Sequence, residues 1–479
     1  MKAAIERLFV AMTARRREEV EPAPLLAELF EKPGEDPGWS GGFPFRYRVV
    51  PKDSVPFYEV GFDLPGDAVR RLRRVVKEVS LELDPREVEP LTFKRLIEVL
   101  SQHSAARLAS HGERSRLREL SELAAYEEAG LSRVFAIAKD DRVTEFFVDS
   151  DSSPMYLDHT VAGRCESGII LTERERDELE THVDVFSGYT LDFKTPSLKN
   201  DLPVGGAILR VSIDLAPLSV NRFALDVRRL NVSTLSLPHL ISLGVLSGEA
   251  AAVLVGWLES GGNVTIVGET GTGKTTLLNA LDELVERRLR RLYIEDAVET
   301  RDLLERGYHQ MKVKVDPFER GAESERTKEY EIVKALHRSP DVVILSEIQS
   351  EEHSRAFFQA LASGARGMQT FHASTVEQAI RRWVVMHHIA EQSILDLGLL
   401  VQMARPDRLK QERYVQRVCE VVNEGGVPKV KELFLRDRSV RLRNVAGDGW
   451  PLPPEGADPV KFRARIGAAL ERLGPGAGG

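Results

Sequence analysis

Cysteine is nearly missing from this chain: Cys165 and Cys419 are the only two in 479 residues. Two thiols so far apart in sequence make neither a four-thiolate zinc site nor a disulfide framework, and they suit a reducing interior. Long apolar runs are missing as well. The longest, such as Ala250 to Leu258, fall well short of the roughly 20 residues that cross a bilayer, so membrane association is expected to come through a partner. Nor does one charge dominate. Lys plus Arg number 66 against 74 Asp plus Glu, a net charge of −8, which argues against a protein wrapped in nucleic acid. An export signal is not expected either, because Glu6 and Arg7 interrupt the only apolar stretch of the first residues and Arg15, Arg16 and Arg17 follow it.

What is present suffices for a folded, globular protein. The chain is 42% hydrophobic and 29% charged, which excludes a wholly disordered or collagen-like chain, and its length calls for two or three domains. Apolar residues at Ile5, Leu8, Phe9 and Met12 predict a short helix, followed by a Pro/Gly-rich stretch from Lys32 to Pro44. Residues 1–85 are read as an N-terminal helical and extended extension, a packing or docking module. Residues 86–232 read as an α+β domain: two helices flank His111 and Gly112, and short β-branched runs such as Val143 to Val148 and Ala207 to Ile213 follow. Four arginines, Arg210, Arg222, Arg228 and Arg229, gather at its end. After a hinge, an alternating αβ block is expected over 240–425, and residues 426–479 read as a Pro, Gly and Arg-rich C-terminal tail.

The segment from Gly268 to Thr275 matches the phosphate-binding pattern G-x-x-x-x-G-K-[ST], with Glu269, Thr270, Gly271, Thr272, Gly273 and Lys274 between and Thr276 after it. Its context fits the mechanism. A β-branched run precedes it, and Leu277, Leu278, Leu281 and Leu284 follow at helical spacing, so a strand feeds a helix through the loop. Glycines let backbone N–H groups turn toward phosphate oxygens, and the helix N-terminus adds its dipole. Lys274 is expected to reach the β- and γ-phosphates of ATP, and Thr275 to hold Mg²⁺.

Three later strands end in chemistry. Arg291 to Ile294 closes on Glu295 and Asp296, with Glu299 beyond; Asp341 to Ser346 closes on Glu347 in the form of a Walker B strand; Met368 to Phe371 closes on His372. Carboxylates at the C-terminal ends of parallel strands lie at the ligand edge of the sheet. His387 and His388 read as packing or surface residues.

In this order the motifs resemble the type II/type IV secretion ATPase superfamily, motors of pilus assembly, secretion and the archaellum, with the likeness closest to its archaeal branch and covering roughly Thr144 to Glu420. The aspartate box resembles Ile294 to Glu299, the Walker B element Ala335 to Glu347, and the histidine box Thr370 to Ala373; Leu202 to Gly206 and Phe223 to Arg229 resemble the end of the family's N-terminal domain. The resemblance implies a RecA-like P-loop NTPase domain preceded by an α+β, PAS-like domain. It implies that Glu295 polarises the attacking water, that Glu347 orders the metal-bound water, that His372 senses or orients the γ-phosphate, and that Arg228 neutralises charge on that phosphate.

The implied protein is a cytoplasmic ATPase, peripheral at the inner face of the cell membrane, that forms a hexameric ring, binds ATP and Mg²⁺, and works with a polytopic membrane platform protein on a type IV pilus-like filament or in secretion. Stable nucleic-acid binding is not expected. Where the family has Gly before the Walker B Glu, Arg two residues after it, and basic residues at two other places, this chain has Ser346, Gln349, Ala207 and Ala365. The alternatives are a nucleic-acid motor and a nucleotide-binding scaffold that hydrolyses slowly.

Overall fold

Two patterns of apolar residues, one of period two and one continuous, build two different sheets in the computed structural model. The structure describes residues 39–473 apart from 53–54, 65, 83–84, 90–91, 115, 231–234, 316–326, 406–411, 437–441, 445–450, 452 and 455. The chain divides into two compact units between Val232 and Ser233.

The first unit carries β1 (Phe45–Val50), β2 (Phe57–Phe62), β3 (Val143–Val148), β4 (Tyr156–His159), β5 (Gly163–Ser167), β6 (Ser197–Val204), β7 (Ala207–Leu215) and β8 (Phe223–Arg229). They form one sheet in the order β1-β2-β5-β4-β3-β8-β7-β6. Only β2 and β5 run parallel. In β7, Ala207, Leu209, Val211 and Ile213 alternate inward, as expected of a sheet with one buried face. Helices Gly66–Glu82, Phe93–Ser110, Leu117–Glu128 and Glu173–Ser187 complete an α+β unit.

The separate extension expected through residue 85 is not seen from β1 onward. Phe45, Tyr47, Tyr58 and Val60 of β1 and β2, with Leu72, Val75 and Val79 of the helix Gly66–Glu82, lie in one core with Leu96, Phe135, Phe146 and Val211. Phe43 and Pro44 mark a turn before β1 and no domain boundary, because the apolar residues of β1 and β2 fill the same core as the strands after Val143. The helix expected at Ile5 to Met12 lies outside the described residues.

The second unit holds β9 (Val264–Gly268), β10 (Arg291–Glu295), β11 (Gln310–Lys314), β12 (Val342–Ile348), β13 (Gly367–His372), β14 (Leu399–Ala404), β15 (Tyr414–Glu424), β16 (Val427–Arg436) and β17 (Leu442–Asn444). Their order is β11-β10-β12-β13-β9-β14-β15-β16-β17. The first six in this order are parallel and the rest antiparallel. Every residue of β9 and β10 is buried, the mark of parallel strands covered on both faces. This is a RecA-like P-loop domain, and its parallel strands bring their C-terminal ends to one edge.

Residues read as a C-terminal tail belong to this domain. β16 and β17 extend its sheet, and the helix Pro459–Leu473 sets Phe462, Ile466 and Ala469 into the core against the helix Gly248–Glu259. Gly256 makes this approach possible: a Cβ there would stand 2.7 Å from Ile466 Cγ1 and 3.1 Å from the Ile466 amide nitrogen. Arginines and glycines around these apolar positions mask the helical period in the sequence.

Candidate nucleotide-binding site

The loop 269–273 leaves the buried strand β9 and enters the helix Lys274–Asp282. Gly271 and Gly273 have φ of +75° and +90°, a left-handed backbone that side-chain-bearing residues rarely adopt. Their absence of Cβ lets the loop curl into an anion cradle at the helix N-terminus. Lys274, 8% exposed, donates through Nζ to the carbonyls of Gly268 (3.0 Å) and Glu269 (3.1 Å). The Thr272 hydroxyl donates to the Glu269 carbonyl at 2.8 Å. Thr275 and Thr276 occupy the first turn, half-buried.

Side chains on the far part of this helix join it to β10 and to the segment that follows β10. Asn279 donates to the Glu299 carbonyl at 3.0 Å and accepts from the Arg301 amide at 3.1 Å. Asp282 accepts from Arg291 Nε at 2.8 Å and from the Tyr293 hydroxyl at 2.6 Å. Burial raises the Asp282 pKa against the pull of Arg291.

Glu295, at the end of β10, is 1% exposed. Its carboxylate accepts from the amides of Glu299 (3.1 Å) and Thr300 (3.0 Å) and from the Thr300 hydroxyl (2.7 Å). Burial raises its pKa above the ordinary value, while the Thr300 donors and the Lys312 charge pull it down. Lys312 in turn donates to the Thr300 carbonyl at 2.5 Å.

At the end of β12, Glu347 accepts from Gln349 Nε2 at 3.1 Å. Gln349 is thus a neutral donor to the carboxylate where an arginine was the family's usual residue. β13 lies between β12 and β9 and pairs His372 with Gly268, so the histidine sits across from the first glycine of the loop. His372 Nδ1 is 3.5 Å from the Thr270 hydroxyl. Burial, and then the Lys274 charge, lower its pKa, which keeps the ring neutral at neutral pH.

A cavity of about 500 Å³ opens over the loop, lined by Glu269, Thr270, Thr272 and His372 and by two arginines, Arg382 and Arg405. The Arg382 guanidinium also donates to the His372 carbonyl and lies 4.8 Å from the Phe371 ring centre. Sequence reading missed both arginines. Arg405 closes β14, so the strand-end signal that found Glu295 applied to it as well.

Among the described residues no group of three or more His, Cys, Asp or Glu is placed to hold a metal ion. Mg²⁺ keeps several waters and is held by one or two protein oxygens together with substrate phosphates; the Thr275 hydroxyl and the Glu347 carboxylate are hard donors of that kind. The remaining candidate, Arg228, belongs to the first unit, where it pairs with Glu145 at 3.3 Å and is about half exposed. Its neighbour Arg229 is committed to structure, donating to the carbonyls of Ala138, Asp140 and Val143. Ala207 and Ala365, in place of basic residues, are both buried.

A family model described as "Type II/IV secretion system protein" matches residues 190–438, more than half of the chain. An uncharacterised protein of Methanocaldococcus jannaschii is 30% identical over 204 residues, 41% of this chain and 72% of its own length. Type II secretion system protein E of Klebsiella pneumoniae is 30% identical over 220 residues, 46% of this chain and 40% of its own. The chain spans only 32% and 45% of the lengths of two further uncharacterised M. jannaschii proteins. Among solved structures, the Legionella pneumophila ATPase DotB aligns with 75% of this chain and 89% of its own, at 16% identity and a TM-score of 0.41. That superposition is loose, and the fold rests on the chain's own strand order.

Proposed function

The chain belongs to the type II/IV secretion system protein family, and from that premise we propose that it is a ring-forming, Mg²⁺-dependent ATPase. It drives assembly or retraction of a type IV pilus-like filament, or protein secretion. One observation carries the reading: four neighbouring parallel strands, β10, β12, β13 and β9, end at one edge in Glu295, Glu347, His372 and the phosphate loop. Such an edge is where ligands bind in open α/β sheets.

Each residue has a distinct task. The loop amides from Gly268 to Gly273 and Lys274 Nζ hold the β- and γ-phosphates, Lys274 exchanging its carbonyl partners for phosphate oxygens. Mg²⁺, when bound with ATP, supplies charge neutralisation between the phosphates; Thr275 and Glu347 are its protein-side donors. Glu295, held by Thr300, takes the proton of the attacking water. The neutral His372 donates to or accepts from the γ-phosphate region beside Thr270. Arg228 adds a positive charge to the γ-phosphate in the assembled ring, which is proposed to be a hexamer at the inner face of the cell membrane, docked on a polytopic membrane platform protein.

The slow-hydrolysing scaffold keeps one supporting observation, the burial of Ala207 and Ala365 where the family has basic residues. Mass measurement with and without a Mg-ATP analogue separates the two readings. The ATPase reading expects a nucleotide-favoured hexamer and loss of ATP binding in Lys274→Ala; a monomer that binds ATP without turnover selects the scaffold. Turnover stimulated by DNA and weakened steeply by salt would select a nucleic-acid motor.

A further inference from the structure

Parallel strands hold one another by a ladder of main-chain hydrogen bonds, and along β12 that ladder is interrupted where the site begins. β10 and β12 are in register from Arg291 and Val342 to Ile294 and Leu345. β12 and β13 are in register as far as Leu345 and Gln369, then slip, and meet again at Ile348 and Phe371. Ser346 and Glu347 fall inside this irregularity, a kind of break that re-aims side chains beside functional sites.

Side chains replace the ladder there. The Thr370 hydroxyl of β13 donates to the Ser346 carbonyl. Lys328, the first residue of the helix Lys328–Lys334, donates through Nζ to the Glu347 carbonyl at 2.9 Å and to Asp296 Oδ1 at 2.8 Å. The Ser346 hydroxyl reaches the same Asp296 oxygen at 3.4 Å. Lys328 is only 2% exposed, and a lysine is almost never buried so deeply unless it is paired. One ammonium group therefore joins the residue after Glu295 to the main chain of Glu347 across a gap that the sheet leaves open.

We propose that Lys328 is a positioning residue for hydrolysis: by clamping Asp296 to the Glu347 carbonyl it fixes the separation of the Glu295 and Glu347 carboxylates. The clamp deepens the ATPase reading and rests on it. It also gives Ser346 a part to play, since its hydroxyl is a second donor to the clamped Asp296 oxygen. The phosphate loop is carried on β9, two strands away from β12, so the loop's hold on the phosphates does not depend on the clamp.

The test compares phosphate release and the affinity of a fluorescent ATP analogue in the full-length wild type, Lys328→Met, and Lys328→Met/Asp296→Asn. The double variant removes both charges, and so reads the clamp even if a stranded Asp296 unfolds the single one. The clamp predicts that kcat falls at least about tenfold, a loss of transition-state positioning, while KM and analogue affinity stay within about twofold. A double variant with kcat within about twofold of wild type would overturn it. So would a loss of affinity matching the loss of rate, which would make Lys328 a general support of the fold. A wild type without turnover would instead sink the ATPase reading, an outcome distinguishable because it precedes any comparison of variants.

Discussion

Glu295 sits where two influences on a carboxylate oppose each other: burial favours its neutral form, and three donors favour its charge. Burial is the larger, so the acid limb of kcat/KM should lie above the ordinary Glu value of about 4.3. Thr300→Val removes a donor to the charged form and should move that limb further up; a pH–rate profile in which the limb stays put contradicts this. His353 makes a second prediction. Burial, and then the nearby Lys328 charge, push its pKa down from 6.5 to about 4. The unfolded chain binds its proton below about 6.5, whereas the folded chain resists it. His353 therefore contributes stability that is present above pH 6.5 and lost as pH falls toward 4. The full shift is worth roughly 3 kcal/mol. Urea denaturation at pH 7 and pH 5 should show a steeper loss for wild type than for His353→Gln, and parallel losses would refute the assignment.

Elements differ in how openly the sequence announces them. The strand, Gly-rich loop and helix around Lys274 were legible because their signal is local: glycines that permit left-handed backbone between an apolar strand and a periodic helix. Glu295, Glu347 and His372 were legible as polar residues closing apolar strands. Lys328 was not, because its partners Asp296 and Glu347 are brought to it only by the order of the strands and nothing in the residues around it marks an active site. The merging of β1 and β2 with the strands after Val143 was equally hidden, since pairing across some hundred residues leaves no periodic trace. The C-terminal helix Pro459–Leu473 was masked by its arginines, yet it sets Phe462, Ile466 and Ala469 into the core. Gly256→Val puts a side chain against the Ile466 backbone, 3.1 Å from its nitrogen and 3.2 Å from its Cα, and should cost about 1–3 kcal/mol as overpacking does. A lowered melting temperature together with faster proteolysis before Pro459 would be the signature; an unchanged melt would show that the helix contact carries no stability.

At the scale of the whole molecule, an α+β unit precedes a RecA-like unit whose parallel strands end at the candidate nucleotide site. Among the described residues no helix is long and apolar enough to cross a membrane. All of it depends on one chemical claim, that the edge of the second sheet hydrolyses ATP through Glu295. The direct measurement is phosphate release from Mg-ATP by the full chain and by Glu295→Gln, with ATP-analogue binding measured beside it. The account predicts turnover by the wild type, a loss of about a hundredfold or more in the variant as expected for a general base, and binding that survives. Turnover that does not depend on Glu295, or binding by the wild type with no turnover at all, would contradict it.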